Sequence, residues 1–278
     1  MYVETLRGLA CILLVSYHVI DNTSEYGLQL PADDIFSFAN RLFLDVRMPL
    51  FSFISGFVFS AYARDLSVLG DKIMAKAPRL LIPMVAVGTL HYWTQYVFAH
   101  GGQDQPPYYQ LFILPYDHFW YLQATFIIMI VVFAVTYWLK GNGTRAAAIL
   151  LVPCVLAYPV VDRWYPDVFS SYKALYLAPY FLAGYLISHS AALRAEFDQA
   201  SKQWRIIAAM SLLVALLFVI EYLLLDRVIV FQEIGRRALG LIVGLSTCVF
   251  FFVVRFRSHF LAFIGDKSYA IFLFHVFF

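Results

Sequence analysis

Read for polarity alone, the chain is a succession of long apolar runs divided by short polar breaks. A helix needs about 20 mostly apolar residues to cross a bilayer. Nine stretches approach that length: 5–22, 46–62, 79–99, 118–139, 145–161, 173–189, 205–225, 234–254 and 260–278. The fifth is short and is broken by Pro153 and Pro159. The runs are continuous and do not alternate at every second residue, which predicts helices and not the strands of a membrane β-barrel. Ahead of the second run, "DDIFSFANRLFLD" (33–45) sets apolar residues at helical spacing among charges, as an interfacial helix does. The expected fold is all-α: a polytopic transmembrane helix bundle forming a single integral-membrane domain over 1–278.

Composition agrees. Hydrophobic residues make up 62% of the chain and charged residues only 14%, whereas a soluble domain has about 45–50% and about 25%. Too little polar material is present to cover a surface facing water. The net charge of +2 says little as a total, but its distribution predicts an orientation. The connections 23–34 and 100–117 hold no Lys or Arg. The alternate connections carry Arg64, Lys72 and Lys76; Lys140 and Arg145; Arg194 and Lys202; Arg255 and Arg257. By the positive-inside rule the N-terminus lies in the cytoplasm, although Arg163, Arg227, Arg236 and Arg237 run against the trend. The chain stops in "FLFHVFF" with no polar tail, so a missing C-terminal segment is expected. Cys11, Cys154 and Cys248 lie far apart in apolar runs, which argues against a disulfide framework or a metal site.

The first run, "TLRGLACILLVSYHVI" (5–20), holds an arginine and a histidine. Eleven helical steps separate Arg7 from His18, about 20° past three full turns and roughly 16 Å along the axis. Both side chains therefore fall on one face. Ionisable groups inside a span usually face the bundle interior or a watery passage, and a desolvated imidazole stays neutral and able to accept a proton. The plainer reading has Arg7 snorkelling to lipid phosphates and His18 in a structural hydrogen bond. A transporter or flippase with an Arg/His substrate path fits the same residues, whereas an ionisable face disfavours a membrane scaffold.

"LRGLACILLVSYH" resembles the Arg-x10-His signature of the membrane acyltransferase 3 family. Further phrases resemble that family in order: "RMPLFSFISGF" (47–57), "KAPRLLIP" (76–83), "HFWYL" (118–122) and "GDKSYAIFLFH" (265–275). The resemblance covers essentially the whole chain. It implies one span more than the nine visible, and an enzyme of the bacterial inner membrane that moves an acyl group, commonly acetyl, from cytoplasmic acyl-CoA to a hydroxyl of a surface glycan or a lipid-linked saccharide. The acyl-CoA is then a donor substrate, with no tightly bound cofactor and no nucleic-acid partner. Such an enzyme must carry a thioester across the membrane to its acceptor. A pantetheine arm spans roughly 15–20 Å, of the order of the Arg7–His18 offset by helix rise. The expected arrangement is one water-accessible passage lined by both residues.

His18 is the expected general base, with Arg7 orienting the donor or stabilising developing charge. Lys76 and Arg79 stand three residues apart and are the candidates to hold coenzyme A phosphates, Arg as a planar fork and Lys as a point charge; anchoring at the membrane surface is the plainer role. Asp45, Trp120 and Glu221 are the candidates for acceptor binding. Asp45 and Arg47 either pair with each other or contact the acceptor, Trp120 also suits an aromatic belt, and Glu221 falls late in the seventh run among apolar neighbours. Ser52, Ser55 and Gly56 read as helix-packing residues and not as nucleophilic machinery, as does the pair in "GLIVG" (240–244). His91 and His118 read as structural or interfacial residues, and no role is assigned to His275.

Overall fold

The computed structural model describes residues 2–20, 27–31, 33–62, 66–98, 106–162, 166–225 and 229–277, with the backbone alone at 61, 62 and 66–76. Arg64, Arg163, Arg227 and the side chains of Lys72 and Lys76 lie outside the described residues. Within them the chain is helical, without strands. The first half comprises α1 (Tyr2–Ile20), α2 (Ile35–Leu42), α3 (Leu44–Tyr62), α4 (Leu66–Phe98), α5 (Gln110–Ile113) and α6 (Trp120–Trp138). The second comprises α7 (Gly143–Ala157), α8 (Ser171–His189), α9 (Ala191–Ala200), α10 (Trp204–Leu225), α11 (Glu233–Val254), α12 (His259–Asp266) and α13 (Ser268–Phe274).

Four described stretches are long and apolar enough to cross a bilayer: α1, the run Gln110–Trp138, α10 and α11. Two bent pairs raise the number to six, α2 with α3 at 44° and α12 with α13 at 60°. The nine predicted spans are thus helical but do not all pass this measure. Helix α7 has only 15 residues and contains Pro153. Helix α4 holds Pro78 and Pro83 and a polar first half. Helix α8 carries Ser, Tyr, Lys and His, and it can do so because its neighbours cover it: Leu177, Tyr180, Phe181 and Tyr185 have no exposed surface. The last predicted run, 260–278, is broken at Lys267. The predicted interfacial segment forms α2, whose first turn is capped by Asp34 accepting from the Phe36 amide at 2.8 Å.

In a bilayer, lipid tails are as apolar as leucine, so helices associate through close packing and interhelical hydrogen bonds and not through the hydrophobic effect. Two helix pairs here use glycine for that purpose. A Cβ on Gly56 of α3 would lie 1.9 Å from the Phe181 carbonyl oxygen of α8, and one on Gly184 of α8 would lie 2.0 Å from the Phe53 carbonyl oxygen of α3. Ser52 adds a hydroxyl donated to the Leu177 carbonyl at 3.1 Å. Helices α1 and α12 interlock in the same way, through Gly8 against Leu261 and Gly265 against Glu4. The "GLIVG" glycines, Gly240 and Gly244, bring α11 against Asp45 and Tyr180. The small residues therefore do the packing work their sequence context implied.

This contact makes a prediction. Gly56→Ala forces the α3 and α8 backbones apart and should lower stability by about 1–3 kcal/mol, read as a fall in thermal unfolding temperature in detergent. Gly88→Ala, whose Cβ would meet only the Leu111 side chain at 3.2 Å, should change it far less.

Candidate functional site

Helix α1 presents Arg7 and His18 to two neighbouring cavities. The Arg7 cavity has a volume of about 300 Å3 and is lined also by Ser55, Tyr121, Asp266 and Tyr269. The His18 cavity, of about 340 Å3, is lined also by Tyr17, Arg47, Asp117, His118 and Trp120. Phe272 of α13 is a wall of both. Its ring packs on Tyr121 (centroids 5.5 Å apart) and on Phe51 (6.5 Å), and Tyr121 is tied to Ser55 by a hydroxyl contact of 3.0 Å. The single passage expected from sequence is therefore two compartments, one toward each end of α1, abutting at an aromatic partition. The break between α12 and α13 is what allows Phe272 to sit there: a straight helix would continue along α1, whereas the 60° bend at Lys267 turns α13 inward.

The other predicted residues distribute as follows. Arg79 is exposed at the edge of the Arg7 cavity: its carbonyl accepts from the Tyr269 hydroxyl at 2.7 Å, and its neighbour Leu80 lines that cavity. The Lys76 side chain lies outside the described residues. Trp120 lines the His18 cavity, with the Lys173 ammonium 4.3 Å from its ring centre. Asp45 and Glu221 are not with them. They share a third cavity of about 360 Å3 with Arg236. Glu221 is buried there, and its Oε2 has no hydrogen-bond partner. The third cavity adjoins the second through Tyr176, which lines the His18 cavity and donates its hydroxyl to Asp45 Oδ1 at 3.3 Å.

Several further residues stand at this site. Arg47 is only 3% exposed and faces the His18 cavity. Its guanidinium lies 4.0 Å from the centre of the Tyr17 ring and donates to the Asn40 carbonyl at 2.6 Å and the Asn40 side-chain oxygen at 3.2 Å. Four histidines also converge. The rings of His18 and His275 stand 4.8 Å apart, His275 and His118 4.8 Å, and His118 and His91 6.3 Å. Asp117 Oδ2 lies 3.5 Å from both His118 Nδ1 and His91 Nε2. Asp117 holds this position with φ of 40°, a left-handed conformation that a non-glycine residue adopts at a cost of about 1–3 kcal/mol. Sequence spacing could not gather residues from α1, α4, the turn before α6 and the turn after α13. Among the described residues no group of three or more His, Cys, Asp or Glu is arranged to hold a metal ion.

A family described as an acyltransferase domain matches residues 2–278. The chain belongs to the acyltransferase 3 family. No curated protein and no solved structure matches it. Membership makes the chain an integral-membrane enzyme that transfers acyl groups and sets aside the transporter and scaffold readings. In an acyltransferase the chemical needs are a proton acceptor, positive charge or hydrogen-bond donors where an oxyanion develops, and shelter of the thioester from water. In this acyltransferase the His18 cavity holds an imidazole and a buried guanidinium, with an aromatic wall closing one side.

The partition should be sensitive to its central ring. Phe272 is 3% exposed, so Phe272→Ala should cost about 3–5 kcal/mol, whereas Phe272→Leu, which keeps an apolar wall, should cost far less. Thermal unfolding of the two variants in detergent measures the difference.

Proposed function

We propose that this acyltransferase carries an acetyl group from cytoplasmic acetyl-CoA to a hydroxyl of a cell-surface glycan or lipid-linked saccharide, in a bacterial inner membrane with its N-terminus in the cytoplasm. The observation that carries the reading is the pair of abutting cavities along α1, one holding Arg7 and the other His18, with Phe272 between. Two substrates of opposite location need two compartments and a narrow junction. The helix rise between Arg7 and His18, roughly 16 Å, matches the reach of a pantetheine arm.

In this reading Arg7, Arg79 and Lys76 hold the phosphates of the donor at the cytoplasmic mouth. The thioester reaches past Phe272 to the His18 cavity. The acceptor enters from the outer side, where Trp120 offers a face for a sugar ring and Asp45 and Glu221, across Tyr176, offer acceptors for its hydroxyls. His18 takes the hydroxyl proton as the oxygen attacks the thioester carbonyl. The carbonyl electrons move onto oxygen, where Arg47, the cation that shares the His18 cavity, stabilises them. The intermediate collapses with loss of the coenzyme A thiolate, which takes the proton from His18. Arg7 lines the other cavity, so its part is to orient the donor.

The experiment is NMR of surface glycans from the native host with the gene deleted. Loss of an O-acetyl signal, restored by the wild-type gene, is expected; an unchanged spectrum sinks the glycan reading. Complementation with His18→Ala should leave the signal absent while the protein is expressed and inserted normally, and a restored signal removes His18 from the mechanism. In membranes, Arg79→Ala should raise the KM for acetyl-CoA by about 5- to 50-fold, as loss of one or two charge-assisted hydrogen bonds does, and leave that for the acceptor nearly unchanged. The reverse pattern overturns the phosphate assignment.

A further inference from the structure

His275 sits in the turn that follows α13, with its ring centre 4.8 Å from that of His18 and 4.8 Å from that of His118. Its Nδ1 lies 2.9 Å from the Phe272 carbonyl oxygen and 3.1 Å from that of Ile271. A bare nitrogen lone pair would be repelled by two carbonyl oxygens, so Nδ1 carries the proton and donates it. A neutral imidazole then keeps its one accepting lone pair on Nε2. That atom is buried and has no hydrogen-bond partner. A buried acceptor left unfilled is costly, and native structures rarely keep one without a use.

Among the described residues two imidazoles face His275. His18 faces it from α1, tilted by 59° at a centroid separation of 4.8 Å, and His118 faces it from the turn before α6. Asp117 stands behind His118, with His91 of α4 beyond. The two rings are not hydrogen-bonded in this structure; at a centroid separation of 4.8 Å a turn of the His18 ring brings one of its nitrogens within hydrogen-bonding reach of Nε2, the kind of contact that tightens only when substrates are bound. A general base that works through one imidazole nitrogen needs the other nitrogen to be held, because the wrong tautomer presents a proton where a lone pair is required.

We propose that His275 is a positioning residue for the acyl transfer, its Nε2 accepting an N–H from His18 when the substrates are bound and thereby fixing the tautomer whose other nitrogen takes the acceptor proton. This rests on His18 being the general base. When His18 takes the acceptor proton it becomes an imidazolium whose other N–H is already held by His275. The proton then leaves His18 for the departing thiolate, and His275 forms and breaks no covalent bond. His118 packs against His275 and limits the turning of its ring, and Asp117 stands 3.5 Å from His118 Nδ1.

The test compares wild type with His18→Ala, His275→Phe and His275→Gln in native-host membranes from which the chromosomal gene is deleted, using acetyl-CoA as donor and the host's own envelope glycan as acceptor. Release of free coenzyme A thiol is followed across pH. His275→Phe should lower kcat by about 100-fold or more, the scale of a positioned proton transfer, with the KM for acetyl-CoA unchanged and the acid limb of kcat/KM displaced. His275→Gln, whose side-chain oxygen accepts an N–H but cannot act as a base, should recover most of kcat. Wild-type rates in His275→Phe overturn the proposal, as does an equal loss in both His275 variants with the acid limb in place, the mark of a purely structural role. Turnover in His18→Ala instead overturns the general-base reading itself, so the two failures are distinguishable.

Discussion

Gly8 and Gly265 let α1 and α12 meet backbone to backbone, and the site depends on that contact. A Cβ on either glycine would fall 1.9 Å from a main-chain oxygen of the opposing helix. Because lipid offers no hydrophobic drive for helix association, this approach sets both the rotation of α1 and the depth of α12. The rotation turns Arg7 and His18 inward together. The depth decides where the chain bends at Lys267, and hence where Phe272 and His275 arrive. A looser pair would leave the same residues in the sequence and no site in the molecule.

The bundle then handles polar groups by dividing them. An arginine, a row of histidines, a second buried arginine and two carboxylates are too costly to scatter through an apolar interior. Arg7, the pair His18 and Arg47, and the pair Asp45 and Glu221 line three separate cavities, divided by an aromatic wall at Phe272 and by the hydroxyl link from Tyr176 to Asp45. The wall matters for a thioester, because a passage wet along its whole length would admit water as a competing nucleophile. The separation also sorts the cations among the described cavities: Arg7 and His18 line different ones, whereas Arg47 lines that of His18.

Much of the fold was legible. Periodicity and run length located α1, α3, α6, α10 and α11 to within a few residues, and the amphipathic stretch before the second run became α2. Run length also located α8 to within two residues, although α8 is less apolar than a lipid-facing span, which its covering neighbours permit. The closing run departs from expectation: it is long enough for one straight helix but bends by 60° at Lys267. In the site, the shared face of Arg7 and His18 was readable from helical arithmetic, since both lie on one helix. The assembly of His275, His118, Asp117 and Arg47 around His18 was not, because it depends on which helices touch. Glu221 was legible as a carboxylate with apolar neighbours, but that it shares a cavity with Asp45, and not with His18, was not.

The central claim is that donor and acceptor occupy two abutting compartments along α1 and meet at Phe272. A cryo-EM structure with a thioether analogue of acetyl-CoA, which cannot be cleaved, tests it most directly. The nucleotide should lie at the mouth edged by Arg79, with the chain passing Arg7 and the acyl end beyond Phe272 beside His18. An analogue seated with its nucleotide in the His18 cavity, or bound with Arg7 untouched, would contradict the account.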